Sequence, residues 1–446
     1  MKKDVIQLSD HFTLGRLYRF CLPSIIMMVF TSIYGVVDGY FVSNYVGKTP
    51  FAAVNLIMPF LMILGGVGFM IGTGGSALVA KHLGEKDENQ ARRVFSMMMI
   101  LTLILGVSIS VLGIIFADKV ALLLGADSEM LEYSVIYART CLIFNTMFMF
   151  QNVFQSFLVT AERPKLGLVV IVAAGCTNML LDFLFIAVFQ LGVVGAALAT
   201  GLSQTVGGLL PLIFFLRKTN GSKLHIVRTR LELRPVLQAC SNGASELITN
   251  ISSSVVSMLY NHQLLTLAGE NGVSAYGVLM YVSFIFAAVY IGYSIGTAPI
   301  VGYNYGAQNH EELRNIRVKS MRSMLIGGVI MVSLAELLAP VLAGIFVGYD
   351  KELFDMTVHA FRLFSFTFLL SGFNIWCSSF FTALNNGAIS AAVSFLRTLV
   401  FQLAAVLILP IFFKLDGVWF SVAFAEVCAF IISVIFLIAK RKKYNY

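Results

Sequence analysis

The stretch "SIYGVVDGYFV", Ser32 to Val42, places one carboxylate, Asp38, inside an otherwise apolar run. That run, from about residue 17 to 42, is long enough to cross the ~30 Å hydrocarbon core of a bilayer, where a bare carboxylate is costly. Similar runs follow near 51–79, 92–117, 132–159, 166–188, 193–215, 235–267, 272–301, 315–347, 354–382, 388–411 and 417–439. The expected fold is an all-α membrane protein of twelve transmembrane helices. The rest of the composition agrees: of 446 residues, 58% are hydrophobic and only 12% charged, so no large soluble domain fits. A membrane β-barrel is excluded because its strands alternate apolar and polar residues, whereas these runs are continuous. The first run also continues far beyond a signal peptide's apolar core, and the amino terminus is expected to be retained.

Lys and Arg give the sidedness. Of 31, 24 fall in the two tails and alternate loops, 4 in the opposite loops (Lys48, Lys119, Lys351, Lys414), and 3 (Arg139, Arg362, Arg397) within spans. This asymmetry is expected to place both termini and the long loop near Leu216 to Arg234 in the cytoplasm. The net charge of +8 is therefore a matter of membrane orientation, and no nucleic-acid partner is expected. Cys21, Cys141, Cys176, Cys240, Cys377 and Cys428 all lie in spans without metal-like spacing and read as packing residues.

Sliding the chain against itself by 222 residues matches Gly47 with Gly269, Gly84 with Gly306, Arg92 with Arg314, Asn152 with Asn374, Thr160 with Thr382 and Gly195 with Gly417. Each half holds an even number of crossings, so the halves are parallel repeats about a pseudo-twofold axis along the membrane normal. The expected organisation is a six-helix lobe over 1–215, a linker over 216–234 and a second six-helix lobe over 235–446. Two such lobes can rock around a central cavity.

Depth along each span follows from the ~1.5 Å rise per helical residue, which puts Asp38 ~25 Å and Asp182 ~22 Å from the cytoplasmic ends of their spans. Asn178 lies one turn before Asp182 on the same face. By the same rise, Tyr137 and Thr200 sit ~10 Å below the outer surface, so five polar groups share one level. Glu246 and Arg397 come ~15 Å from the cytoplasmic side, and Glu426 reaches a similar depth from outside. These three are read either as a structural salt bridge or as substrate contacts. Asn152, Gln151, Gln155 and Thr200 are equally suited to hydrogen bonding between helices. Met280 and Tyr281, in "MYVSFIFAAVYIGY" (Met280 to Tyr293), offer soft surface to flat cations, although lipid-facing packing explains any one of them as simply. Arg139, Glu336, His359 and Arg362 lie near outer span ends and are expected to reach towards water.

In the order and spacing of its motifs the chain resembles the multidrug and toxic compound extrusion family, MATE, in its bacterial MepA-like or DinF-like branches. The motifs are "LP" at Leu22-Pro23, "GVVDGYFV" with its acid, "AKHLGEKDENQARR" after span two, "TAERPK" after span four, "NMLLD" in span five and "LGVVGAALAT" opening span six. The resemblance implies a secondary active exporter in a bacterial plasma membrane, working as a monomer. It would expel amphipathic, cationic drug-like molecules in exchange for H⁺ or Na⁺, with no other cofactor. It also implies a first-lobe coupling site at Asp38, Tyr137, Asn178, Asp182 and Thr200, with Na⁺ an alternative occupant at Asp38, Asn178, Asp182 and Thr200. The chain departs from the family where "NGASE", Asn242 to Glu246, replaces a common proline of span seven, so no kink is carried over there.

Two adjacent acids without a basic neighbour are expected to share a proton, and ion uptake would then bend span one at Pro23. Rival readings fare less well. No GxxxxGK[ST] loop supports a primary pump, and a lipid-linked oligosaccharide flippase should show a cationic cavity rather than acids. A membrane-embedded enzyme would need a nucleophile with a base or a metal set, and the six histidines are scattered. No symmetric filter suggests a channel.

Overall fold

The computed structural model describes residues 6–219 and 221–446, apart from the Lys48 side chain. Lys2 and Lys3, two of the charges used for sidedness, lie outside the described residues. The first half comprises α1 (Leu14–Tyr45), α2 (Lys48–Gly84), α3 (Glu88–Leu123), α4 (Ser128–Thr160), α5 (Pro164–Asp182) and α6 (Gly192–Leu216). A π-helical turn, Phe183–Val188, extends α5 directly after Asp182. The second half comprises α7 (Leu233–Gly306), α8 (His310–Val347), α9 (Lys351–Ser365), α10 (Thr367–Ala383), α11 (Gly387–Phe395) and α12 (Phe401–Tyr444). A second π-helical turn, Leu396–Val400, joins α11 to α12.

Two helices are longer than one crossing and break once each, α7 at Gly269 and α12 at Lys414. Helices α9 and α10 bend by 45° at their junction and form one broken crossing, a break with no proline to announce it. Counting these breaks, the described residues make twelve crossings. Helices are required because hydrocarbon offers backbone N–H and C=O groups no other partner. Residues 242–246 of α7 continue as regular helix.

The repeat is visible in the backbone. Left-handed residues recur at the same 222-residue offset: Gly47 (φ 112°) with Gly269 (φ 61°), Lys86 (61°) with Gln308 (55°), and Gly192 (59°) with Lys414 (50°). The caps recur as well. Asp87 accepts from the Gln90 N–H at 2.9 Å and opens α3, and Asn309 accepts from the Glu312 N–H at 3.2 Å and opens α8. Both satisfy donors that a helix start leaves free.

One apolar cluster joins α2, α3, α4 and α6 and reaches Ala239 of α7, and another joins α7, α8, α9, α10 and α12. The halves meet through glycines. Gly74 lies on the Ala239 carbonyl, Gly243 on that of Met70, Gly306 on that of Lys81, and Gly292 and Gly296 on the α1 backbone at Ile25 and Cys21. A Cβ at any of these would strike backbone, so the missing side chains set the approach. Those contacts lie at the end of the molecule that carries both termini. Farther along the same helices Gly66 lies against Asn250, and Ser32 donates to the Phe284 carbonyl at 3.4 Å.

Two extended segments brace the joined end. Residues 221–232 lie on the first half: Arg92 donates to the Lys223 carbonyl at 2.8 Å, the Val227 N–H to Ser96 at 2.9 Å, and Arg93 pairs with Glu232 at 2.7 Å. The amino-terminal segment grips the second half through buried Glu312, which accepts from the Phe12 N–H at 2.9 Å and meets His11 Nδ1 at 2.7 Å. Its Leu8 N–H returns to Glu162 of the first half at 2.8 Å.

Candidate functional site

In α1, apolar residues pack on α5 closely enough that Gly175 leaves room only for Phe30 and Tyr34. This close packing brings Asp38 to the end of α5. Thr200 Oγ1 donates to Asp38 Oδ1 at 3.4 Å, and Asp182 and Asn178 are the other polar neighbours of the Asp38 carboxylate. Asp182 is fully buried, and both of its carboxylate oxygens, with Asn178 Oδ1, have no donor among the described residues. Two carboxylates are acceptors only, so they bond each other only with a proton or cation between them. The three orphaned oxygens form an acceptor-rich, donor-poor cluster beside Asp38. Tyr137, buried, lies in electrostatic range of both acids, with Cys141 beside its hydroxyl. The structure thus brings together all five first-half residues named from depth.

Two further neighbours lie in range of Asp38: Tyr34, which the sequence reading does not name, and Cys141, which it reads only as a packing residue. Their signal was present: Tyr34 is one turn before Asp38 and Cys141 one turn after Tyr137, each on the same helical face. The π-helical turn after Asp182 had no sequence signal. It shifts the register of the residues that follow the acid.

The second half holds a different constellation. Arg397, within the second π-helical turn, forks onto Glu426: Nη2 lies 2.7 Å from Oε1, and Nε lies 2.8 and 3.0 Å from the two oxygens. Asn374 Nδ2 donates to Glu426 Oε2 at 2.7 Å. Glu246 is half-buried and lies in electrostatic range of Arg397, with no hydrogen bond to its carboxylate among the described residues. Asn374 had not been singled out, although it is the repeat partner of Asn152.

The other residues considered for substrate are placed as follows. Asn152 donates to the Gly65 carbonyl at 3.2 Å and joins α4 to α2. Gln155 is buried with its Oε1 unpartnered. Met280 packs on the second-half core, and Tyr281 stacks on Phe346 with centroids 6.3 Å apart. Farther along the same stretch Tyr290 and Tyr293 are fastened to the Phe368 carbonyl and to Ser320. Arg139, Arg362 and His359 are half-exposed and pair with Asp118, Glu336 and Asp416. Among the described residues no group of three His, Cys, Asp or Glu could hold a metal.

A duplicated twelve-crossing bundle, joined at one end and carrying buried acids between its helices, is the architecture of a membrane transporter and not of an enzyme. The family model MatE matches twice, over residues 23–184 and 246–407, and the chain belongs to that family. Among curated proteins, the multidrug export protein MepA of Staphylococcus saprophyticus is 25% identical over 420 residues, covering 92% of this chain and 90% of the relative. MepA of Staphylococcus aureus is 23% identical over 412 residues, with the same coverage. Among solved structures, the outward-facing conformation of a multidrug resistance MATE transporter superposes with a TM-score of 0.93 at 25% identity, covering 100% of this chain and 99% of that one.

Proposed function

We infer that the chain is a multidrug exporter that moves amphipathic cationic compounds out of a bacterial cell by alternating access, with both termini in the cytoplasm. The reading is supported by the family, by the export activity in the names of the staphylococcal relatives, and by the basic residues gathered at the joined end. On that orientation the glycine-joined end faces the cytoplasm. The observation that carries the coupling scheme is the facing pair Asp38 and Asp182, with three buried oxygens lacking donors.

One H⁺ or Na⁺ from outside supplies the charge those oxygens lack. A proton would bridge the two carboxyls; Na⁺ would be ligated by the carboxylates with Asn178 and Thr200 oxygens, an oxygen-only set that suits a hard cation. Neutralising the pair removes the repulsion between α1 and α5 and favours a bent α1, where Pro23 leaves one backbone carbonyl unbonded. The bend moves α1 against the rest of its lobe, and drug leaves outward. Glu246 is the anionic contact for a cationic substrate, since Arg397 is already committed to Glu426. The chain works as a monomer, with lobes at 1–215 and 235–446 and residues 216–234 linking them.

The test is dye efflux from proteoliposomes under imposed H⁺ or Na⁺ gradients, with Glu246→Gln beside the wild type. One of the two gradients should drive efflux of a cationic dye, and Glu246→Gln should raise the dye concentration needed for half-maximal rate while leaving gradient dependence intact. Efflux indifferent to both gradients would overturn the coupling scheme. An unchanged dye requirement would remove Glu246 from the substrate site.

A further inference from the structure

The first turns of α8 carry an open, shallow face formed by Glu311, Arg314, Asn315, Val318, Lys319 and Arg322. These positions follow at three- and four-residue spacing and so form one face of the helix. Among the described residues neither Arg314 nor Arg322 is paired with a carboxylate. The same face continues into Leu325, Ile326, Val329 and Ile330, all exposed, which is the stripe a helix presents to acyl chains. Arg322 lies ~18 Å along the axis from the start of α8, so the cations stand where hydrocarbon gives way to headgroups. Glu311 is at the opposite end, farthest from the apolar stripe.

The surrounding charge is unbalanced. Arg317, on the neighbouring face, lies in electrostatic range of both Arg314 and Arg441, stacks on Tyr446 at 5.1 Å, and has its buried Nε without a partner. Arg317 is repelled by both Arg314 and Arg441, and an anion placed beside them relieves that repulsion. We propose that this face of α8 is a binding site for an anionic phospholipid, its phosphodiester held by Arg314 and Arg322 and its acyl chains lying along Leu325 to Ile330. Guanidinium groups suit this task because they offer paired donors to phosphate oxygens.

Lys319 links the site to the brace at the joined end. Its ammonium donates to the Phe12 carbonyl at 2.6 Å, and Asn315 donates to the same oxygen at 3.0 Å. An ammonium has three donors, so Lys319 can hold Phe12 and a phosphate oxygen together. A bound lipid thereby tightens the amino-terminal segment onto α8 and favours the joined state of that end.

The experiment is native mass spectrometry of the purified full chain titrated with phosphatidylglycerol or phosphatidylcholine, for the wild type, Arg314→Gln/Arg322→Gln, and Arg228→Gln/Arg230→Gln in the linker as a charge-matched control. The wild type should retain a phosphatidylglycerol that free glycerol phosphate does not displace. With each basic residue near the membrane surface contributing on the order of 1 kcal/mol, the α8 variant should need about thirty-fold more lipid, and the linker variant the wild-type amount. Equal losses in both variants, retention of the lipid by the α8 variant, or equal retention of phosphatidylcholine would overturn the site. Amide exchange at Phe12 should slow in phosphatidylglycerol for the wild type but not for the α8 variant. A rate indifferent to lipid would overturn the link through Lys319.

Discussion

The two halves descend from one repeat, yet they treat buried charge in opposite ways. In the first half two acids face each other with no base, and three buried oxygens have no donor. In the second, Glu426 is enclosed by the Arg397 fork and Asn374, and both of its carboxylate oxygens have donors. The offset partners of Asp38 and Asp182 are Tyr260 and Ala404, and Tyr260 stacks on Tyr276 with centroids 5.2 Å apart. The charge of Asp38 in one half is thus replaced by a packing ring in the other, and that of Asp182 by an exposed alanine. On the coupling scheme proposed above, the first-half site is left one charge short so that it can take an ion, while the second-half pair is neutralised from within.

The sharpest way to break this comparison is to remove one partner of the closed pair. Glu426→Gln leaves the Arg397 guanidinium buried without its counter-ion, and the expected loss is about 3–5 kcal/mol of stability, read as a fall in the thermal unfolding midpoint. Replacing both Arg397 and Glu426 by Met should be far milder, because burying the pair costs nearly what its attraction returns. If the double variant falls as far as the single one, the pair is not self-neutralising in the sense argued.

Next in size is the glycine seam. Gly296→Leu places a side chain against the Cys21 backbone, and overpacking of this kind costs about 1–3 kcal/mol. In a variant keeping Cys21 as the sole cysteine, this substitution should raise maleimide labelling of that thiol several-fold. No change in labelling would mean that the joined end is not held by close backbone contact. A smaller effect is expected at the rim of the acid pair, where Thr200→Ala removes one donor to Asp38. Ion dependence of efflux should then shift by roughly ten-fold, the value of one hydrogen bond to a charged group. The least change is expected for Tyr281→Ala, a half-exposed ring stacked on Phe346, with unfolding moved by no more than about 0.5 kcal/mol and efflux of dye unchanged.

Much of this was legible in the residues. Asp38 and Asp182 stand out because an acid in hydrocarbon must have a reason to be there, and the fixed rise of a helix converts position into depth. That arithmetic places Tyr137, Asn178 and Thr200 at the same level from opposite membrane surfaces. It does not give azimuth between helices, so Asn374 was not recognised as the partner of Glu426. Nor did it suggest that Tyr290 and Tyr293 would be fastened to Phe368 and Ser320. The 45° break between α9 and α10 and the two π-helical turns left no mark, since no proline or glycine stands at any of them. The amino-terminal brace was equally hidden, because Glu312 reads as a first-turn acid of α8 until Phe12 is seen to donate to it.

The central claim is that Asp38 and Asp182 act as one acceptor for one ion. Its most direct test is gradient-driven dye efflux in proteoliposomes for Asp38→Asn, Asp182→Asn and the double variant. Groups that work as a unit are not additive, so each single substitution should abolish the response to the gradient and the double should be no worse than either. Gradient-driven efflux that survives in either single variant, or losses that multiply in the double, would contradict the account.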